Sequence, residues 1–465
     1  MTYLHSFSVL ILAILLPWGG RAQSVDSSRA AQPFTLEMCL DYAYKNNATV
    51  ENASLEQAIA KADVGVTKSQ GLPQIAADVS YDNNFAVQTQ FLPAVFFADD
   101  PNNVPSDAPP VPVRFGVPHT GRAGVSLTQM IFDGSYFVGL RAARVYTDLA
   151  QRSLDQTKAT TAEQVTKAYY TALVNQERQA LLRSNYQRLD TLLRETQLMF
   201  ENGFAEDIDV GRVRVQFNNA ATDLASNQRL TEVSYLLLKF QMGMPIEQDI
   251  ALADKISEID FDFEIEEESN FAYADRPEYA QLLVNQNLSQ LDLRNNRVQY
   301  LPKLTATANV GYNSGVDQFG QITEFSDQWF EYGSFGFNLN IPIFDGLRKY
   351  NAIQKSKLQI RQLDNQSKFL KNQIDLEIVQ ARVSLENNLE ALEVQQENFE
   401  LAQKIFDVTK IKYQEGVGSN LEVTEAQNAL QQAETNYYDA LYSALVARVD
   451  LKKALGTLVN ETSAQ

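Results

Sequence analysis

The chain has 465 residues, of which 45% are hydrophobic, with 58 acidic against 39 basic side chains and a net charge of −19. So acidic a chain repels phosphate backbones, which excludes nucleic acid as a partner. A single cysteine, Cys39, forms no internal disulfide, and with only two histidines, His5 and His119, it builds no zinc site of the usual kind.

Residues 1–22 read as a secretory signal peptide. Phe7 to Pro17 is a short apolar run, followed by the small-x-small cleavage site Gly20-Arg21-Ala22. No later stretch reaches the roughly 18 apolar residues of a membrane-spanning helix. Cys39 lies inside Leu36-Glu37-Met38-Cys39-Leu40, a helical pattern, and reads as a small buried thiol rather than a lipid attachment point.

Beyond the leader, one unit occurs twice. Gln129-Met130-Ile131-Phe132-Asp133-Gly134 recurs as Ile341-Pro342-Ile343-Phe344-Asp345-Gly346, and Glu201-Asn202-Gly203-Phe204 recurs as Gln414-Glu415-Gly416-Val417. Gly243 recurs as Gly456, and Gly71-Leu72-Pro73 as Tyr300-Leu301-Pro302. The first copy occupies residues 34–245, with strands at about 72–82 and 122–132 and a long helix at about 134–202. The second occupies 276–458, with strands at about 302–312 and 332–343 and a long helix at about 346–415. Residues 246–275 form an acidic segment expected on the outside at the equator, and 459–465 a C-terminal tail.

Ile75, Ala77, Val79 and Tyr81 alternate with polar or small residues, as do Leu304, Ala306, Ala308, Val310 and Tyr312. Period two marks strands, and it fits a lipid-facing barrel strand with a wet interior as well as a half-buried strand of a soluble sheet. The two long helices, free of proline and each about 100 Å long at 1.5 Å per residue, demand coiled-coil partners. In the second, Ile378, Leu385, Leu392, Phe399 and Phe406 fall at heptad spacing beside a partly polar row, Ile374, Ala381, Asn388, Gln395 and Ala402. Four strands cannot close a membrane barrel, whose smallest common size is about eight, so strands entering lipid require several copies of the chain.

The segment Leu36-Glu37-x2-Leu40-x2-Ala43-x3-Asn46, the duplicated Phe-Asp-Gly strand exits, Tyr413-x2-Gly416 running into Leu421-Glu422-Val423, and the closing Ala454-Leu455-Gly456 resemble TolC-type outer-membrane efflux proteins. The resemblance implies a mainly α fold with a membrane β-barrel portion: four strands and long coiled-coil helices per chain in two tandem repeats. It implies a homotrimer with a 12-stranded barrel in the outer-membrane lipid bilayer and a periplasmic α-barrel. Such a duct serves tripartite efflux or type I secretion, docking to a periplasmic adaptor protein and an inner-membrane pump of the RND, ABC or MFS type. It needs no cofactor or metal and does no chemistry.

The same resemblance places a periplasmic gate at Asp209, Tyr413, Glu422 and Glu425. Three copies of the two glutamates would ring the bore with carboxylates, although exposed acids in a helix's first turn are also favoured by the helix dipole alone. Gly418 stands where a basic latch is expected, and Arg212 is the candidate substitute. The turns Gly203-Phe204-Ala205 and Gly416-Val417-Gly418 read as helix C-caps that also offer an adaptor an apolar grip. Two rival readings are a periplasmic adaptor subunit and a secreted coiled-coil structural or adhesin protein. The duplicated strand pairs argue against both. An enzyme lacks its usual motifs here: there is no GxSxG and no phosphate loop, and His119 in the proline-rich first loop reads as a surface residue.

Overall fold

The computed structural model describes residues 33–256, 271–325 and 327–458. The leader at 1–22, the tail 459–465 and the acidic run from Phe261 to Glu268 lie outside the described residues. The first half contains β1 (Pro33–Phe34), α1 (Leu36–Asn46), α2 (Ala48–Ser69), β2 (Gln74–Asn83), β3 (Thr89–Leu92), β4 (Val111–Arg114), β5 (His119–Phe132), α3 (Gly134–Glu201) and α4 (Asp207–Met242). After β6 (Ala251–Leu252) come α5 (Pro277–Val298), β7 (Lys303–Val316), β8 (Trp329–Asn340), α6 (Arg348–Gln414) and α7 (Asn420–Leu455).

The alternating segments form one antiparallel sheet in the order β2-β5-β7-β8. Its register sets Ile75 beside Leu127, Ala308 and Phe335, and Val79 beside Ala123 and Tyr312. One face is therefore apolar, and Ile75, Val79, Val310, Phe335 and Phe337 are exposed on it. The other carries Asp78, Ser126, Thr307, Asn309 and Ser334. A soluble sheet would bury the first face; a barrel strand presents it to lipid. Among the described residues β2 and β8 each have one unpaired edge, a row of backbone groups that lipid cannot satisfy.

Two local expectations need correction. β8 stops at Asn340 rather than 343, because Pro342 has no N–H to give the ladder, and Ile343 and Phe344 beyond it are exposed. Within the first loop β3 and β4 pair as an antiparallel ribbon from Thr89↔Arg114 to Leu92↔Val111. His119 is not a lone loop residue but the first residue of β5, with Nδ1 2.8 Å from the Tyr81 hydroxyl and its ring stacked on Tyr81.

The two loops at this end lean opposite ways. A Cβ on Gly315, which belongs to the polar face, would stand 3.0 Å from Val117, so the base of the first loop lies over that face. The β7–β8 loop covers the apolar face instead: Ile322 and Trp329 sit 3.0 Å from the Cβ position of Gly121, and Trp329 Nε1 donates to the Ile322 carbonyl at 2.9 Å. Trp329 also stacks on Phe325. Aromatic residues at this end of the apolar face match the interfacial girdle of a membrane barrel.

The helices continue the order of the strands. α3 (68 residues) and α6 (67 residues) are the long struts. α2 and α4 pack on α3, α5 and α7 pack on both α3 and α6, and the layer reads α2/α4, α3, α5/α7, α6. Each composite column joins at a left-handed glycine. Gly243 (φ +72°) ends α4 against Asn46 and Asn47, and Gly456 (φ +75°) ends α7 against Asp275, just before α5. The helical run from Leu36 to Ser69 is interrupted at Asn47, which is extended (φ −72°, ψ 122°). There its Oδ1 accepts from Thr49 N at 2.8 Å, and its Nδ2 donates to the Gln241 carbonyl at 2.8 Å.

The main core surrounds Tyr169, Leu173, Leu238 and Leu445 midway along the helices. Cys39 is fully buried there, and burial pushes its thiol up to about 12, so it is an inert packing residue. Tyr169 donates its hydroxyl proton to Asp254 Oδ2 at 2.7 Å, tying the segment after α4 to this core. On α6, Ile374, Ile378, Leu385, Leu392 and Phe406 are buried and Phe399 partly so. Phe369, Leu376 and Val383, then Val394, Leu401 and Val408, stay exposed on a different face of the same helix. The opposite flank exposes Leu55, Ile59 and Val66 on α2, and Val215, Val233 and Phe240 on α4.

Candidate functional site

Both struts end away from the sheet in the same glycine turn. After α3, Gly203 (φ +77°) donates to the Phe200 carbonyl and Phe204 to Met199; after α6, Gly416 (φ +75°) donates to Tyr413 and Val417 to Lys412. A left-handed residue closes each helix, which is the conformation glycine supplies without strain. The turns leave Phe204 and Val417 79% and 78% exposed, with Ala205 half-buried. Gly418 is crowded, since a Cβ there would stand 3.1 Å from the Tyr413 amide and the Lys412 side chain.

The helices that start beyond these turns carry the expected acids. Asp209 closes a capping box, accepting from Glu206 N at 3.2 Å, and pairs with Arg212 at 3.3 Å on its own helix. Glu422 donates its backbone N–H to Ser419 Oγ, and its side chain and that of Glu425, three residues on, are exposed. Gln216 bridges the two helices, donating to the Thr424 carbonyl and to Asn428 Oδ1, both at 3.2 Å. Asp209, Glu422 and Glu425 thus stand at one end of adjacent helices. Tyr413 is set apart from them: it is buried with Val213, Leu192 and Val423, and its hydroxyl has no partner among the described residues.

Sequence reasoning missed the polar interior behind this tip. Asn420, Gln427 and Glu434 are buried at heptad spacing on α7, in line with Leu441. Gln427 Nε2 donates to Asn185 Oδ1 at 2.9 Å, and Arg188 Nη2 donates to Glu434 Oε1 at 3.3 Å. Burial raises the Glu434 carboxyl above its ordinary range, and Arg188 opposes that rise only in part. Asn185 Nδ2, Thr196 Oγ1, Gln216 Oε1, Asn420 Nδ2 and Gln427 Oε1 join the Tyr413 hydroxyl as buried atoms without a hydrogen-bond partner among the described residues. The usable signal was the seven-residue spacing, which hydropathy hides because the occupants are polar.

A sheet apolar on one face and polar on the other, continued by a helical layer about 100 Å long with acidic side chains at its far end, defines a channel wall that crosses a membrane through a β-barrel. Among the described residues no helix is long and apolar enough to cross one. The family model described as outer membrane efflux protein matches residues 39–243 and 270–457, and the chain belongs to that family of outer-membrane channel proteins. It is 21% identical to the outer membrane protein TolC of Vibrio cholerae over 72% of this chain and 76% of that one. With the alkaline protease secretion protein AprF of Pseudomonas aeruginosa it shares 23% identity over 72% and 69%. The outer membrane channel CmeC of Campylobacter jejuni superimposes with a TM-score of 0.70 at 19% identity, covering 92% of this chain and 87% of that one. The protein is an outer-membrane efflux channel of the TolC type.

Proposed function

We propose that three copies close edge to edge into a duct: a twelve-stranded barrel in the outer membrane, four strands from each chain, continued by an α-barrel in the periplasm. One observation carries this reading. The unpaired strand edges, β2 and β8, lie in the same order as the helical flanks α2/α4 and α6, and both flanks expose apolar side chains. A single rotation of one chain onto the next satisfies both at once. The duct is passive and does no chemistry. It takes its cargo from an inner-membrane pump of the RND, ABC or MFS type through a periplasmic adaptor.

The tip is the gate. Glu422, Glu425 and Asp209 narrow the bore with carboxylates, with Tyr413 behind them and Arg212 as the basic partner. Gly203-Phe204-Ala205 and Gly416-Val417-Gly418 offer the adaptor exposed apolar tips. The partnerless polar atoms behind the gate support the assignment, because repacking that gives each a partner carries no hydrogen-bond penalty. The test is ion selectivity of the purified channel in planar bilayers, in a background with the tip opened. Replacing Glu422 and Glu425 together by Gln should abolish cation preference and weaken block by divalent cations, with helix propensity little changed. Unchanged selectivity and block would reduce both residues to solvated helix charges.

A further inference from the structure

We propose that the polar face of the sheet carries a binding station for planar aromatic carboxylates, built from Arg122, Tyr332 and Phe330. The inference rests on the barrel reading, in which this face lines the lumen. Two adjacent register rows create the station. One runs Asp78, Gly124, Gly311, Tyr332 across the four strands; the next, nearer the outer loops, runs Ser80, Arg122, Asn313, Phe330. The glycines are what shape it. A Cβ on Gly124 or Gly311 would meet the Tyr332 hydroxyl at 2.4 or 2.9 Å, so only this glycine pair lets the tyrosine lie flat along the wall.

Arg122 comes in from the neighbouring row. Its Nε donates to the Tyr332 hydroxyl at 2.9 Å, and its guanidinium carbon lies 5.0 Å from the ring centre. Asp78 approaches Nε only at 3.9 Å, beyond hydrogen-bonding distance, and both side chains are about half exposed. Among the described residues the polar contacts of Arg122 run through Nε, which leaves its two terminal nitrogens for a ligand, and two parallel N–H groups match a carboxylate. Phe330, 64% exposed in the same row, and the Tyr332 ring offer apolar faces beside that fork. A carboxylate on Arg122 with its aromatic ring against Phe330 and Tyr332 satisfies both features. Asp78 competes for the same cation and keeps the station weak, as a site in a conduit must be if its ligand is to leave.

Cysteine labelling tests this cleanly, because the one native cysteine, Cys39, is fully buried. Asn313→Cys places a thiol between Arg122 and Phe330, and iodoacetamide reports its accessibility in the lipid-embedded channel. Added 2-naphthoate should slow labelling about threefold at about twice its Kd, from the mass-action factor for a competing ligand. The cation 2-naphthylmethylammonium should not slow it. Arg122→Gln should abolish the protection, and Asp78→Asn should strengthen it by removing the competitor. Protection that is absent with Arg122 in place, or that persists undiminished in Arg122→Gln, overturns the station while leaving the barrel standing. If Asn313→Cys is inert and the opposite-face Val310→Cys reacts, the faces are reversed and the barrel reading falls with it.

Discussion

Glu434 and Arg188 show most sharply what a single side chain does here. Glu434 is 3% exposed and Arg188 is its one ion-pair partner among the described residues. Removing Arg188 strands a buried carboxylate, so Arg188→Ala should destabilise the channel by about 3 kcal/mol. Glu434→Gln removes the charge that burial penalises and should stay within about 1 kcal/mol of wild type. The pH dependence carries a definite sign. A carboxyl whose folded pKa is raised above its ordinary 4.5 stabilises the fold least once it is ionised. Wild type should therefore lose ground to Glu434→Gln as pH rises from 4.5 through the raised folded value, as read by thermal denaturation of the two proteins. Loss of ground on acidification instead would contradict this environment. The residue was legible only as one place in a heptad row: Leu441 announces the face, but Glu434, Gln427 and Asn420 read as solvent positions until α3 is seen against them.

At the scale of elements, period and punctuation were the legible signals. Alternation located all four strands of the sheet, and proline-free runs located α3 and α6, because both depend on local pattern. What escaped depends on neighbours distant in the chain. Asn47 breaks a helical pattern because the end of α4 needs room, and Gly243 is where that need is concentrated: at φ +72° its Cβ would stand 2.5 Å from the Asn46 carbonyl. Gly243→Ala should cost on the order of 2 kcal/mol through left-handed strain and collision. Gly211→Ala on the same helix, with nothing within 4 Å, should gain up to about 1 kcal/mol from helix propensity. Equal effects of the two substitutions in thermal melts would remove the special role of that junction. The loops give a second check on orientation. Protease added to intact cells should cut between residues 84 and 118 and spare the turns at Gly203 and Gly416, since the sheet end faces outward and the tip inward. Cleavage at the turns alone would invert the topology.

The whole molecule is a wall segment rather than a closed body. Its sheet ends in two open strand edges, its helical layer ends in two apolar flanks, and the order of one matches the order of the other. The need for several copies was already readable from four strands of barrel type. The alignment of strand order with helix order was not, because it arises from how α2 and α4, and α5 and α7, stack end to end. Most of the apolar surface exposed by one chain thereby has an assigned cover: lipid for the strands, and the next copy for the flanks. The mass of the particle extracted from outer membranes into mild detergent, measured by light scattering with the detergent contribution removed, tests this most directly. Three chains, each lighter than the full-length 52.2 kDa by its leader, are expected in one species that persists on dilution. A stable single chain, soluble without detergent, would contradict it.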